Sequence, residues 1–184
     1  MKLALASLAL SVAPAVSFAQ TTFVVDDDPG PGVDFTELSD AVAAAGLGDL
    51  IEVRAGNYGP TTITRSVTVM GEPGAFVDSL TVENHFGRLP VVIADLRTSF
   101  LLLRDNLGPV IFDGSSAPWT FGASFVDVDN CDLLWLQGLR MTVRSVTPLE
   151  VQDSTVFMDD VVVRSFFTAA WGDDGATGVT IGGG

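Results

Sequence analysis

"VDNCDLLWLQGLRMT" (residues 128–142) and "VQDSTVFMDDVVVRS" (residues 151–165) share one outline: a short apolar alternation, a polar turn and a second alternation. The two stretches begin 23 residues apart. "SLTVENHFGRLPVVIADLRT" (79–98), "FLLLRDNLGPVIFDG" (100–114) and "ATGVTIGGG" (176–184) fall into the same series. Val110, Leu133, Val156 and Val179 recur every 23 residues, and Val67 and Val91 precede them at less even intervals. Two residues further on, Val69, Ile93, Phe112, Trp135, Met158 and Ile181 form a second column, and Leu80/Val82, Leu101/Leu103, Val126/Val128 and Leu149/Val151 repeat in the first alternation. Residues two apart in a strand share a face, so these pairs predict strands that each bury one face. A single unit cannot bury that face alone, which predicts a solenoid whose coils stack like on like. Trp135 is thereby expected in the core between Phe112 and Met158. By the same alternation Thr68, Val92, Ile111, Leu134, Phe157 and Thr180 are expected to face outward. The apolar strip Val92, Ile111, Leu134 and Phe157 is larger than soluble monomers usually expose, which predicts cover by another chain, a loop or a further domain.

The chain has 184 residues, enough for one domain with a real core. Residues 1–19 read as a cleavable signal peptide: Lys2, then an apolar run from Leu3 to Val12, then Ser17-Phe18-Ala19 as a small-x-small cleavage site. The mature chain is expected to start at Gln20 and to be secreted, periplasmic or held at the cell surface. No later segment reads as a membrane span. The formal charge is −14 with nine Lys and Arg, and all the cations but Lys2 are arginines. This balance argues against nucleic acid and anionic lipid as partners, because phosphate binding draws on clustered Lys and Arg. Cys131 is the one cysteine and His85 the one histidine. An intrachain disulfide, a Cys/His zinc site and a catalytic triad around any other histidine are therefore excluded.

The segment after Gln20 differs from the repeats. A strand "TTFVV" (21–25) leads into the acidic turn "DDDPGPGV" (26–33), and Leu38, Ala41, Val42 and Ala45 then follow helical spacing. Thr36 is the expected N-cap, and Gly46 and Gly48 end the helix. A helix laid across the first coil would close the apolar end of a solenoid.

"DFTELSDAVAAAGLGDLIEVRAGNYGPTTITRSVTVMGEPG" (34–74) resembles the opening of right-handed parallel β-helix proteins of the pectin lyase-like superfamily. The resemblance rests on Asp34, Phe35, Thr36, Ala41, Val42, Ala44, Ala45, Gly48, Asp49, Ile51, Val53, Gly56 and Tyr58. It implies an all-β, right-handed parallel β-helix with a short N-terminal capping α-helix. The expected organisation is residues 20–60 as strand, capping helix and first coil, and 61–184 as further coils that continue past Gly184. The superfamily includes polysaccharide lyases, pectin methylesterases, polygalacturonases and secreted proteins with no known catalysis. Pectin methylesterases often continue G-x-Y-x-E, where this chain has Tyr58-Gly59-Pro60-Thr61, and their later Q-D-T and D-F-I/V-F-G motifs have no counterpart. The N-T-D and H-G motifs of polygalacturonases are missing too. The resemblance thus implies a scaffold without catalysis of its own that binds polysaccharide. The alternative is a lyase- or esterase-type enzyme whose catalytic coils are degenerate or lie outside this chain.

Calcium-dependent pectate lyases use a basic residue beside clustered aspartates, which directs attention to Arg97, Arg140 and Arg164. Arg140 and Arg164 are 24 residues apart, close to one coil, and are expected to stack as neighbours. With Asp113, Asp159 and Asp160 nearby in sequence, they would make an Arg/Asp surface able to hold the hydroxyls and carboxylates of an acidic polysaccharide. No catalytic residue is assigned. Asp26-Asp27-Asp28 is an oxygen-rich loop of the kind that suits Ca2+, but it lacks a complete binding motif, so no cofactor is assigned.

Overall fold

A computed structural model of the chain describes residues 20–114, 125–143, 149–165 and 179–181. The proposed leader 1–19 and the tail 182–184 lie outside these residues. In chain order the elements are β1 (Thr22–Val25), α1 (Leu38–Ala44), β2 (Leu50–Val53), β3 (Gly56–Tyr58), β4 (Thr61–Ile63) and β5 (Thr68–Gly71). There follow β6 (Ala75–Glu83), β7 (Val91–Ala94), β8 (Arg97–Asn106), β9 (Val110–Asp113) and β10 (Phe125–Cys131). The last are β11 (Leu134–Gln137), β12 (Arg140–Val143), β13 (Leu149–Gln152), β14 (Val156–Asp159), β15 (Val162–Ser165) and β16 (Val179–Ile181).

Among the described residues all the strand pairings are parallel and join successive coils, so the chain is a β-solenoid, with one short helix in that part. Among the described residues a first sheet runs β1-β2-β5-β7-β9-β11-β14 and a second β16-β13-β10-β8-β6-β3, with β4 also on β6. Strands β12 and β15 make a third. The core fills the interior, where Ile51, Val69, Ile93, Phe112 and Leu136 stack in one column and Leu80, Leu101, Val126 and Leu149 in another.

The pairing departs from the 23-residue spacing by one residue in one coil. Leu134, not Leu133, pairs with both Val110 and Val156, so the intervals are 24 and 22. A one-residue shift turns every side chain of a strand to the other face. Leu134 and Leu136 are accordingly buried, and Trp135 is 40% exposed. The cause lies in the corner between the second and first sheets. Three residues separate Asn106 from Val110, two separate Cys131 from Leu134, and one separates Ser154 from Val156. Across these three coils the corner shortens by one residue at each step, and an average of 23 conceals it. Strand β16 also differs from expectation: Val179 pairs with Leu149 and Ile181 with Val151, which places them in the second sheet rather than above Val156.

Polar groups line that corner in register. The His85 amide donates to Asn106 Oδ1 at 3.1 Å, Asn106 Nδ2 donates to the Val82 carbonyl at 2.8 Å, and the Cys131 amide donates to Ser154 Oγ at 2.9 Å. The preceding residues Asn84, Asp105, Asn130 and Asp153 have φ of 53°, 52°, 52° and 43°. Asn and Asp enter this left-handed region at lower cost than other residues with a side chain, so each supplies the bend of its coil. Gly108 packs directly on this ladder, since a Cβ there would lie 2.5 Å from His85 Nε2.

At the other end, α1 packs on β4, β1 and β2 and buries Leu38, Ala41 and Val42. Its N-cap is Glu37, with no side-chain cap hydrogen bond, rather than Thr36. The motif residues have mechanical roles. Asp34 Oδ2 accepts the Val24 amide at 2.8 Å, and the Asp34 amide donates to the Val24 carbonyl at 2.8 Å, which occupies the outer edge of β1. Asp49 accepts the Gly46 amide at 2.7 Å and the Thr21 amide at 2.8 Å, tying the helix exit to the first strand. The Tyr58 hydroxyl lies 2.9 Å from the Arg54 carbonyl and 3.3 Å from that of Val25, and burial pushes its pKa up to about 12.

Candidate binding face

The outer face of the first sheet carries two columns. One runs Leu50, Thr68, Val92, Ile111, Trp135, Phe157, and the other Glu52, Met70, Ala94, Asp113, Gln137, Asp159. The expected apolar strip therefore exists with one correction: Leu134 is fully buried and Trp135 takes its place beside Phe157. Trp135 and Phe157 are 40% and 47% exposed, their ring centroids are 5.2 Å apart, and their planes meet at 21°. The rings shield each other on their facing sides and give solvent a continuous apolar ridge across two coils. Gln137 lies between Asp113 and Asp159 in the neighbouring column, so amide and carboxylate groups run alongside that ridge.

The proposed Arg/Asp surface is divided among the sheets. Asp113 and Asp159 stand on the outer face of the first sheet. Asp160 has φ of 51° and makes the following corner, as Asp95 (54°) and Gly138 (67°) do in other coils, which gives it a backbone role. Arg97 belongs to the second sheet, opposite Phe76, with its guanidinium carbon 5.9 Å from that ring centroid. Arg140 and Arg164 belong to the third sheet, but Arg140 pairs with Val162 and Arg164 with Thr142. They are offset by two residues and are not the stacked neighbours that the 24-residue spacing suggests.

The side chains of His85 and Cys131 are engaged in packing. His85 Nε2 lies 3.0 Å from the Leu89 carbonyl, and burial holds the imidazole below its usual pKa. Burial likewise pushes the Cys131 thiol up. In the acidic turn, Asp26 accepts the Asp28 amide at 3.1 Å and Arg54 Nη1 at 3.1 Å, and these contacts hold its carboxyl below the usual range. Asp27 accepts the Asn57 amide at 2.9 Å, and a Cβ on Gly56 would lie 2.5 Å from Asp27 Oδ1, so a larger residue there would displace that carboxylate. Among the described residues, no group of three or more His, Cys, Asp and Glu side chains is placed to hold a metal ion, and no helix is long and apolar enough to cross a membrane.

Sequence reasoning located the strip and missed Trp135 and Gln137. The corner residues were the available signal: Gly138 and Asp160 are 22 residues apart, the interval at which Leu136 pairs with Met158. No family model matches this chain, no curated protein matches it, and no solved structure matches it, so the solenoid assignment rests on the strand pairing itself.

Proposed function

We propose that this chain is a non-catalytic scaffold, exported by its N-terminal leader and related in architecture to the pectin lyase-like β-helices, that binds polysaccharide on the outer face of its first sheet. The exposed Trp135–Phe157 ridge carries the reading. A pyranose ring has one face rich in C–H groups that packs on aromatic carbon, while its rim of hydroxyls needs hydrogen-bonding partners. Gln137 and Asp159 supply such partners one column away. A rigid parallel sheet holds all these groups without ordering them anew on binding, which reduces the entropic cost of association.

The test is electrophoretic retardation of the secreted protein in gels containing soluble polysaccharides, comparing wild type with Trp135→Ala and Phe157→Ala. Retardation by at least one polymer that both substitutions weaken about tenfold is the expected result. Wild-type retardation that neither substitution alters would remove this face from the function.

A further inference from the structure

Gln20 follows the small-x-small sequence Ser17-Phe18-Ala19, so removal of the leader at that point makes the Gln20 nitrogen the α-amine of the exported chain. The fold takes hold one residue later. The Thr21 amide donates to Asp49 Oδ1 at 2.8 Å, the Thr21 carbonyl accepts the Leu50 amide at 2.9 Å, and Thr22 begins the pairing of β1 with β2. Gln20 itself is exposed, and its side chain makes no hydrogen bond among the described residues. It lines a groove of about 260 Å³ together with Leu47, Gly48 and Leu89. Leu47 and Leu89 are both largely exposed, so the groove offers leucine carbon to the terminus. Asp49, the carboxylate bonded to the neighbouring Thr21, already has its second oxygen on the Gly46 amide at 2.7 Å.

From this placement we infer that Gln20 is a modification site: once the leader is removed, its α-amine closes on its own side chain, and the exported chain begins with a neutral pyroglutamate. The inference rests on the export reading and specifies how the new terminus is finished. In the reaction the neutral amine attacks the Gln20 side-chain carbonyl carbon Cδ and forms an N–Cδ bond. The bond from Cδ to Nε2 then breaks, Nε2 takes up the proton that the amine gives away, and ammonia leaves. A five-membered lactam remains, with no oxidant or cofactor needed. Both reacting groups belong to one residue, so no encounter between molecules is required. An α-amine ordinarily titrates near pH 8, so about a tenth of it is in the neutral, nucleophilic form at pH 7. Closure also leaves the fold intact. The peptide link from Gln20 to Thr21 is kept, and the bonds of Thr21 to Asp49 and Leu50 are untouched. The product suits its surroundings better than the open terminus does. An ammonium beside Leu47 and Leu89 must keep its water, whereas the lactam can lay its CH2 groups on leucine carbon and turn its N–H and C=O to solvent. Without a free α-amine, the chain end that leads into β1 is closed to exopeptidases.

The experiment is mass spectrometry of the full-length secreted protein, collected fresh and again after storage at pH 7, with the synthetic peptide Gln-Thr-Thr-Phe-Val-Val as the unfolded reference. Cleavage after arginine releases the terminal peptide that ends at Arg54. That peptide is expected to begin at residue 20 and to be lighter by one ammonia, and the folded chain should close at least as fast as the synthetic peptide. Edman degradation should be blocked until pyroglutamyl aminopeptidase removes residue 20 and exposes Thr21, and Gln20→Ala should leave an open amine. A chain that begins at Gln20 and keeps its amine while the synthetic peptide closes would overturn the inference and leave the leader standing. A chain that begins at any other residue would overturn the cleavage site itself, and the inference with it.

Discussion

Truncating Leu134 and truncating Trp135 should have unequal effects, in the reverse order of their sizes. Leu134 is fully buried, stacked between Val110 and Val156 in an interior column. Leu134→Ala removes three carbons from that column, about 0.8 kcal/mol each, and the residual cavity brings the loss to about 3 kcal/mol. Trp135 is 40% exposed and loses chiefly its stacking on Phe157, so Trp135→Ala should cost about 1 kcal/mol. At about 2–4 °C per kcal/mol for a domain of this size, the melting temperatures should fall by about 9 °C and about 3 °C. Glutamine widens the contrast. Leu134→Gln buries an amide without partners and adds about 1–3 kcal/mol, whereas Trp135→Gln places the same amide toward solvent. The assay is urea unfolding followed by far-ultraviolet circular dichroism, with midpoints compared at equal m-values. A Trp135 series as damaging as the Leu134 series would refute the 24- and 22-residue register and return Trp135 to the core.

The corner ladder gives two more expectations. Replacing Asn106 by Ala leaves the Val82 carbonyl and the His85 amide without their partner in a fully buried place, and should cost about 2–4 kcal/mol in the same urea experiment; a change below about 1 kcal/mol would remove the ladder from the stability account. Burial lowers the folded-state pKa of His85 below the ordinary 6.5, so the unfolded chain binds the proton first. Stability from the neutral ring is complete above about pH 6.5 and is lost as pH falls toward the folded value, and this slope should flatten in His85→Asn when melting temperature is followed from pH 7.5 to pH 5.

Much of the architecture was legible in the chain. Period-two apolar pairs such as Leu80/Val82 and Leu101/Leu103 marked inward faces, and their recurrence required coils that stack. Leu38, Ala41 and Val42 marked the buried side of the helix that closes the first coil. These features depend on spacing within one strand or one helix, where backbone geometry alone sets which side chains share a face. The relation between coils depends instead on how many residues each corner consumes. Three, two and one residues follow Asn106, Cys131 and Ser154, and no local periodicity records that number. It is set by the hydrogen bonds that hold the ladder in line, such as Cys131 to Ser154, and by which residues then fill the interior. The sequence alone thus determined that a parallel solenoid forms and that an apolar strip faces outward. Only the tertiary pairing decided that Leu134 enters the core and Trp135 joins the strip, because one residue of register exchanges the two faces of a strand. It likewise decided that the arginines and aspartates stand on different sheets, since coil spacing says nothing of which sheet a residue occupies.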